Sequence, residues 1–266
     1  MRVHILTDLE GVAGVVSQNQ IGVSGGDPAA YAAAKKLLTA EVNAAVEGLL
    51  AEGVTDILVS DAHGPGAIEY ETLHPAVKLL HGRPIGLIQA LEMIRGEYDA
   101  AMIVGQHAMA GSARANLNHT QSFAIEYIKV NGRAVGEIGQ YALFAGAEGV
   151  PVIFLSGDQA ACKEVQELIP GVTAVAVKRG VGRFSAISVS AQEARRLIRE
   201  GAQAAVRAHR AKPVAPLHWP GPYIVEVRYH STADADMASK PPDSVRVDDR
   251  TVQFRGDDIR KVVYRC

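Results

Sequence analysis

The sequence has few cysteines, few aromatic residues and almost no net charge. Two cysteines occur in 266 residues, Cys162 and the terminal Cys266, which excludes a disulfide framework and a thiolate metal site. The formal net charge is -2 and no basic cluster with interleaved aromatic residues occurs, so neither nucleic acid nor an anionic membrane is expected as a partner. Apolar runs stay well below the ~18 residues that a membrane span needs. Met1 leads almost directly into a short strand rather than a signal segment, and we expect a cytoplasmic protein.

Strand and helix patterns alternate along most of the chain. Asp27-Pro28 is typical of a helix N-terminus, and an apolar stripe at steps of three and four residues predicts a helix that ends near Gly53. A further helix is predicted over residues 88–94. Asn131-Gly132 between two apolar stretches predicts a type I′ hairpin. The pattern favours an α/β fold: a mostly parallel sheet flanked by helices, in a Rossmann-like three-layer body.

The C-terminal part of the chain has a different organisation. Four prolines between residues 212 and 222 predict a linker. Beyond it the sequence predicts a strand, a short helix, two more strands and a last helix. We therefore predict an α/β catalytic body over residues 1–210 and a smaller α+β subdomain over residues 211–266.

Three predicted strands end in side chains that commonly bind metals. Asp8 and Glu10 follow the first strand, His63 follows the second, and His107 follows a third. In open parallel sheets ligands bind beyond the carboxyl ends of the strands, so we expect these side chains in one crevice. Nitrogen and oxygen donors without thiolate suit catalytic Zn²⁺, and also Mn²⁺ or Co²⁺. The pattern predicts a metal centre.

The number of ions stays open on the residues alone. One ion needs about three protein ligands and a water, whereas a pair of ions needs a bridging carboxylate and more negative charge. Glu137, at the start of a predicted helix and beside Gly136, is the best further acid. Each residue also has an ordinary structural explanation. Asp8 is then a turn cap, His63 a loop histidine, and Glu137 a first-turn acid that favours the helix dipole.

A third histidine could take part in chemistry. His119 follows His107 after an excursion that contains Gly111, Ser112 and Arg114, which could close over a site. A histidine in that position can act as general acid or base, or stabilise an oxyanion. A surface loop histidine is the alternative.

Other polar residues receive structural predictions. Asp61 is expected in a turn or beside a ligand, and Asp158 at a helix N-cap or in contact with substrate. His4, inside the first strand, is expected to be a hydrogen-bonded core residue or a residue on the face of the sheet. Lys178, with Arg179 and Arg183, is placed in a loop after a strand, where it either binds a carboxylate or faces solvent. The glycines between residues 22 and 26 do not match a phosphate-binding loop, so no nucleotide is expected.

Several motifs together resemble a known family. They are Asp8-Leu9-Glu10-Gly11-Val12-Ala13-Gly14, Ser60-Asp61-Ala62-His63, Gly105-Gln106-His107-Ala108, Asn118-His119-Thr120 and Val135-Gly136-Glu137-Ile138-Gly139. In this order the chain resembles the DppA-like zinc D-aminopeptidases over nearly its whole length. The resemblance implies two zinc ions bridged by Asp8, one completed by Glu10 and His63, the other by His107 and Glu137. It places His119 at the position of the family's active-site histidine. It also implies a ring-like assembly of ten subunits.

Residues and resemblance together predict a metal-dependent aminopeptidase. Its substrates would be short peptides with a free amino terminus, including peptides of D-amino acids, and a metal-activated water would attack the peptide carbonyl. His119 would transfer a proton or stabilise the tetrahedral intermediate. Two alternatives stay open: another metal-dependent hydrolase that cleaves a different amide or a phosphoester, and a non-catalytic scaffold stabilised by metal. The predicted partners are a peptide substrate and further copies of the chain.

Overall fold

The fold is described by a computed structural model that covers residues 1–23, 25–82 and 96–265. The helix predicted over residues 88–94 lies outside the described residues. The strands are β1 Arg2–Thr7, β2 Asp56–Asp61, β3 Lys78–Leu80, β4 Ala100–Gln106, β5 Ile125–Val130, β6 Arg133–Val135, β7 Val152–Asp158, β8 Thr173–Gly182, β9 Ser185–Ser188, β10 Tyr223–Tyr229, β11 Ser244–Asp248 and β12 Thr251–Gly256. The helices are α1 Pro28–Ala51, α2 Glu137–Ala147, α3 Gln159–Leu168, α4 Ala191–Ala211, α5 Thr232–Ala238 and α6 Ile259–Val262.

The first sheet is mostly parallel and has the strand order β3-β2-β1-β4-β7-β8-β9. Among its described strands, β9 alone runs antiparallel, to β8. Helices α1 and α4 pack together on one face, and α2 and α3 pack together on the other. Strands β4 and β7 are buried along their whole length, as expected for central strands covered on both faces. The predicted α/β class is confirmed.

The second sheet is antiparallel, in the order β11-β12-β10-β5-β6. It joins parts of the chain on both sides of residue 210, because β5 pairs with β10. The division into residues 1–210 and 211–266 stays a prediction, but the proline-rich stretch does not separate the two sheets. The predicted hairpin is confirmed: Asn131 and Gly132 have φ values of 50° and 81°, and Val130 pairs with Arg133.

Glycines let the loop after β1 lie directly against the end of β4. Gly11 N donates to Gly105 O at 2.7 Å, and a Cβ on Gly11 would lie 2.1 Å from Gln106 O. Gly105 has a φ of 81°, and a Cβ there would lie 2.0 Å from Asp8 O. Larger residues at either position would push the two backbone segments apart. This close approach brings the residues after β1 beside those after β4.

Local capping predictions are confirmed where the structure tests them. The Asp27 side chain accepts from Ala29 N at the start of α1, and Asp158 accepts from Ala160 N at the start of α3. Within the ranges that the structure describes, no helix combines the length and the apolar character required to cross a membrane.

Candidate metal centre

Six side chains that the sequence singles out lie together beyond the carboxyl edge of the first sheet. They come from the loop after β1, the loop after β2, the segment after β4 and the first residue of α2: Asp8, Glu10, His63, His107, His119 and Glu137. All are buried except Glu137, which is partly exposed. The expected convergence of these side chains is observed, while their roles as ligands and catalytic group stay predictions.

The first half of the site joins His63 to two carboxylates. His63 Nδ1 lies 3.2 Å from Asp8 Oδ1 and 3.1 Å from Glu10 Oε2. Its other ring nitrogen, Nε2, lies 2.8 Å from Ile21 O. Because a carbonyl oxygen only accepts, Nε2 carries a hydrogen, and in the neutral ring Nδ1 presents its lone pair to the carboxylates.

The second half repeats this arrangement around His107. His107 Nε2 lies 3.1 Å from Asp8 Oδ2 and 3.4 Å from Glu137 Oε1. Its Nδ1 lies 2.9 Å from Ala108 O and therefore carries the hydrogen. Asp8 thus faces one histidine with each of its two oxygens, and this shared carboxylate joins the two halves.

The donor set fits a metal ion in each half. A neutral imidazole nitrogen and a carboxylate oxygen are both acceptors, so their approach to about 3 Å is favourable only with a proton or a metal ion between them. His107 Nε2 is buried with its lone pair facing Asp8 Oδ2 and Glu137 Oε1, which fits a metal ion at this position. Two groups have ligand atoms within 4.8 Å of one another, Asp8 with Glu10 and His63, and His107 with His119 and Glu137.

The buried histidines and carboxylates of the site shift one another's pKa values. Burial alone would lower the pKa of His63, but the carboxylates of Glu10 and Asp8 outweigh it and hold that pKa well above its usual range. Burial likewise opposes protonation of His107, and Glu137 with Asp8 raises its pKa well above the usual value. Burial would raise the pKa of Asp8, but the two histidines hold it well below its usual range.

His119 stands at the side of the second half. Its Nδ1 lies 2.9 Å from Leu117 O, and its Nε2 lies 3.7 Å from Glu137 Oε1. The ring stacks on His107 with centroids 3.9 Å apart and on Phe123 with centroids 4.5 Å apart. The imidazole is therefore held by packing on both faces, with Nε2 directed toward the acidic centre.

The site opens into a cavity of about 530 Å³. Asp8, Glu10, His63, His119 and Glu137 all line it. The remaining lining residues mix apolar and polar side chains, among them Leu6, Val23, Leu80, Phe123, Gln121 and Tyr264. The cavity has the volume of a typical small-molecule site.

Several supporting contacts are not predicted from the sequence. Gln106 Nε2 donates to Asp8 Oδ2 at 3.0 Å, and Leu9 N donates to Asp8 Oδ1 at 2.8 Å. Gln121 N donates to Glu137 Oε1 at 2.7 Å. Gln106 could have been suspected, since it is a polar residue at the end of a fully buried strand. These donors orient the carboxylates and leave their remaining lone pairs toward the histidines.

Two secondary predictions have different outcomes. Asp61 accepts from Ala67 N at 2.8 Å and from Ile68 N at 3.0 Å, as expected of a turn residue. The placement of Lys178 in a loop is wrong, because β8 continues through it into a hairpin with β9. Lys178 is buried, and its Nζ donates to Glu10 O. Burial lowers the pKa of Lys178 to about 8.

His4 is a satisfied core histidine, as predicted. Its Nδ1 lies 2.6 Å from Tyr141 Oη and its Nε2 lies 2.7 Å from Ser60 Oγ. Burial lowers the pKa of His4 to about 3.

Two adjacent clusters of nitrogen and oxygen donors, joined by one carboxylate at the carboxyl edge of an α/β sheet, are the arrangement expected of a metal-dependent hydrolase. The chain belongs to the peptidase M55 family, described as D-aminopeptidase, which matches residues 1–265. It is a metallo-aminopeptidase, and the resemblance seen in the sequence motifs is confirmed.

The chain is similar in both sequence and fold to the D-aminopeptidase DppA of Bacillus subtilis. The chain is 29% identical over 264 residues to the D-aminopeptidase of Bacillus subtilis strain 168, across 97% of this chain and 93% of the relative. Its fold is similar to that of the Zn-dependent D-aminopeptidase DppA from Bacillus subtilis, a self-compartmentalizing protease, with a TM-score of 0.92 and 28% identity. That comparison covers 100% of this chain and 95% of the solved chain.

Proposed function

We propose that this protein is a two-zinc aminopeptidase that removes residues from the free amino terminus of short peptides, including D-amino acid peptides. One observation carries the proposal: Asp8 directs its two oxygens to two different histidines, at 3.2 Å and 3.1 Å. A carboxylate shared in this way is the feature that a pair of neighbouring ions requires. The zinc dependence of the similar Bacillus subtilis enzyme supports the choice of metal.

The ligands divide between the two ions. Asp8 would contribute an oxygen to each, Glu10 and His63 would complete one site, and His107 and Glu137 would complete the other. Three carboxylates offset most of the charge of two dications, and the backbone and side-chain donors on Asp8 and Glu137 keep these carboxylates oriented.

The chemistry follows from this placement. Zinc bound there would supply Lewis acidity toward a peptide carbonyl and would lower the pKa of a water molecule from its high value in bulk water toward neutrality. His119 takes part through Nε2, which lies beside Glu137 and faces the cavity. Its Nδ1 hydrogen is committed to Leu117 O, so Nε2 is the atom that accepts or returns a proton during hydrolysis.

The substrate class follows from the relatives and the cavity. A cavity of about 530 Å³ accommodates a short peptide rather than a folded chain. The name of the similar Bacillus subtilis enzyme, a D-aminopeptidase, supports D-amino acid peptides. Because the similar Bacillus subtilis enzyme is a self-compartmentalizing protease, we also propose a closed homo-oligomer, a decamer by the family resemblance. A cytoplasmic location stays a prediction.

Metal analysis of the purified protein, paired with a substrate panel, tests the proposal. We expect about two zinc ions per chain, and cleavage of D-Ala-D-Ala but not of its N-acetylated form. L-Ala-L-Ala and p-nitrophenyl phosphate complete the panel. Turnover of the phosphoester alone would replace the peptidase by a phosphoesterase. If metal raises the melting temperature but no substrate is turned over, the protein is a non-catalytic scaffold stabilised by metal.

A further inference from the structure

Lys178 is a buried cation that the proposed reaction does not use. It lies in β8 with only 3% of its surface exposed. Its Nζ donates to Glu10 O, to Val15 O at 2.5 Å and to Asn116 Oδ1 at 2.8 Å. An ammonium group has three hydrogens, and all three are used here.

Two of these contacts hold the segment that carries the first ligands. Glu10 and Val15 both belong to the Asp8 loop, residues 8–16, which presents Asp8 and Glu10 to the site. Because Lys178 binds main-chain oxygens at both positions, it fixes the path of this loop rather than one side chain. A neutral residue of similar size offers too few donors to satisfy these buried oxygens, which is costly.

The third contact reaches the His119 loop, residues 107–122. Asn116 is fully buried, and its Nδ2 donates to Val16 O and to Arg183 O, each at 3.0 Å. Lys178 and Asn116 therefore join the Asp8 loop to the His119 loop directly. His119 stands three residues beyond Asn116 and is oriented by Leu117 O, so the position of Asn116 determines the position of the imidazole.

We propose that Lys178 is a positioning residue: through Asn116 it sets the Asp8 loop and the His119 loop at the separation that places Glu10 and His119 around one substrate. The inference rests on the proposed function for its catalytic consequence, but the coupling of the two loops does not depend on that function. If Lys178 were only a satisfied core residue, its loss would lower the stability of the protein without speeding hydrogen exchange in both the Asp8 loop and the His119 loop.

The test compares Lys178→Met with Glu41→Gln as a matched control. Glu41 is also buried and also holds the Asp8 loop, accepting from Ala13 N at 3.0 Å, but it belongs to α1. A glutamine keeps that acceptor. Hydrogen exchange of the metal-free proteins gives the first measurement. We expect Lys178→Met to speed exchange in both loops by about tenfold or more, and Glu41→Gln to leave the His119 loop unchanged.

Zinc affinity and steady-state kinetics give the second measurement. We expect Lys178→Met to weaken zinc binding and to lower kcat by about 10- to 100-fold each, as for other residues that orient ligands. Asn116→Ala removes the bonds of the His119 loop to Lys178, Val16 O and Arg183 O, while Lys178 still binds Glu10 O and Val15 O. It is expected to lower kcat while zinc affinity stays within about threefold, and in the double variant the losses in kcat are not additive.

Two results would overturn the inference. One is a folded Lys178→Met protein whose His119 loop exchanges as in the wild type. The other, decisive if Lys178→Met does not fold, is Asn116→Ala with unchanged exchange and unchanged kcat. If the wild type binds no zinc or cleaves no peptide, the proposed function fails, while the exchange comparison still decides the role of Lys178.

Discussion

Zinc and a proton compete for the same nitrogen atoms at this site, so raising the pH is expected to tighten zinc binding. His63 Nδ1 and His107 Nε2 face carboxylates at 3.1 to 3.4 Å. In the metal-free protein a proton occupies each of these nitrogens, because the carboxylates hold the pKa of both histidines well above the usual value. A metal ligand must be the neutral ring, so loading the site removes these protons.

The magnitude follows from the count of protons. In each half of the site one histidine loses its proton when the ion binds. About two protons are therefore released for two ions near pH 7. Below the pKa of the histidine, each site then loses about tenfold in affinity, or about 1.4 kcal/mol, for every pH unit that the solution is made more acidic. The sign is fixed by the geometry, since protonation and metal binding exclude each other at one lone pair.

Calorimetric titration measures this proton count. Zinc is added to metal-free protein in buffers with different ionisation enthalpies, and the slope of the observed enthalpy gives the protons released. His107→Gln is expected to lower the count by about one. His74→Gln, at a histidine whose Nδ1 accepts from Ala76 N in another part of the chain, serves as control. A release of fewer than about half a proton between pH 6 and 8 would refute the assignment of His63 Nδ1 and His107 Nε2 as the metal-binding atoms.

Three further predictions concern single residues. His119→Ala is expected to keep both zinc ions and to lose at least about 100-fold in kcat; metal analysis beside kinetics checks this, and loss of an ion would make His119 a ligand. Asp8→Asn is expected to lower the zinc content below one ion per chain, whereas Glu10→Gln leaves about one; equal contents in the two variants would exclude a bridging Asp8. His4 has a folded pKa of about 3, below its unfolded value of 6.5, so its contribution to stability is complete above pH 6.5 and is lost as the pH falls toward 3. The stability difference between the wild type and His4→Gln is therefore expected to fall by about 2 kcal/mol from pH 6.5 to pH 5 in urea unfolding, and a constant difference would contradict it.

Local features of the fold could be predicted because neighbouring residues determine them. Asp27 caps α1 through an amide two residues away, and Asn131-Gly132 adopts the positive φ values that its turn type requires. The pairing partner of a strand is not determined by neighbouring residues in the sequence. β5 pairs with β10 almost a hundred residues later, with Val130 opposite Val225, and no local pattern specifies that choice. The hairpin of β5 and β6 is therefore predicted from the sequence, but its place in the second sheet beside β10 is not.

The ligand candidates could be predicted for a related reason. Asp8, His63 and His107 each follow an apolar run, and parallel strands bring their carboxyl ends to one edge of the sheet. Lys178 could not be placed in this way. Its role depends on the continuation of β8 beyond the apolar run and on carbonyl oxygens from two distant loops, and such contacts leave no trace in residue type or spacing.

The chemistry of the histidines depends on main-chain atoms that residue types do not reveal. Each ring commits its outer nitrogen to a carbonyl oxygen: His63 to Ile21, His107 to Ala108, and His119 to Leu117. Leu117 adopts a φ of 51°, a conformation that is uncommon for leucine, within the turn that leads to His119. The loops therefore select which nitrogen carries the hydrogen, and with it which nitrogen is available to a metal ion or a substrate proton. A sequence can supply the right side chains and still lack the site if these loops take another path, which is why residues that hold the loops matter as much as the ligands.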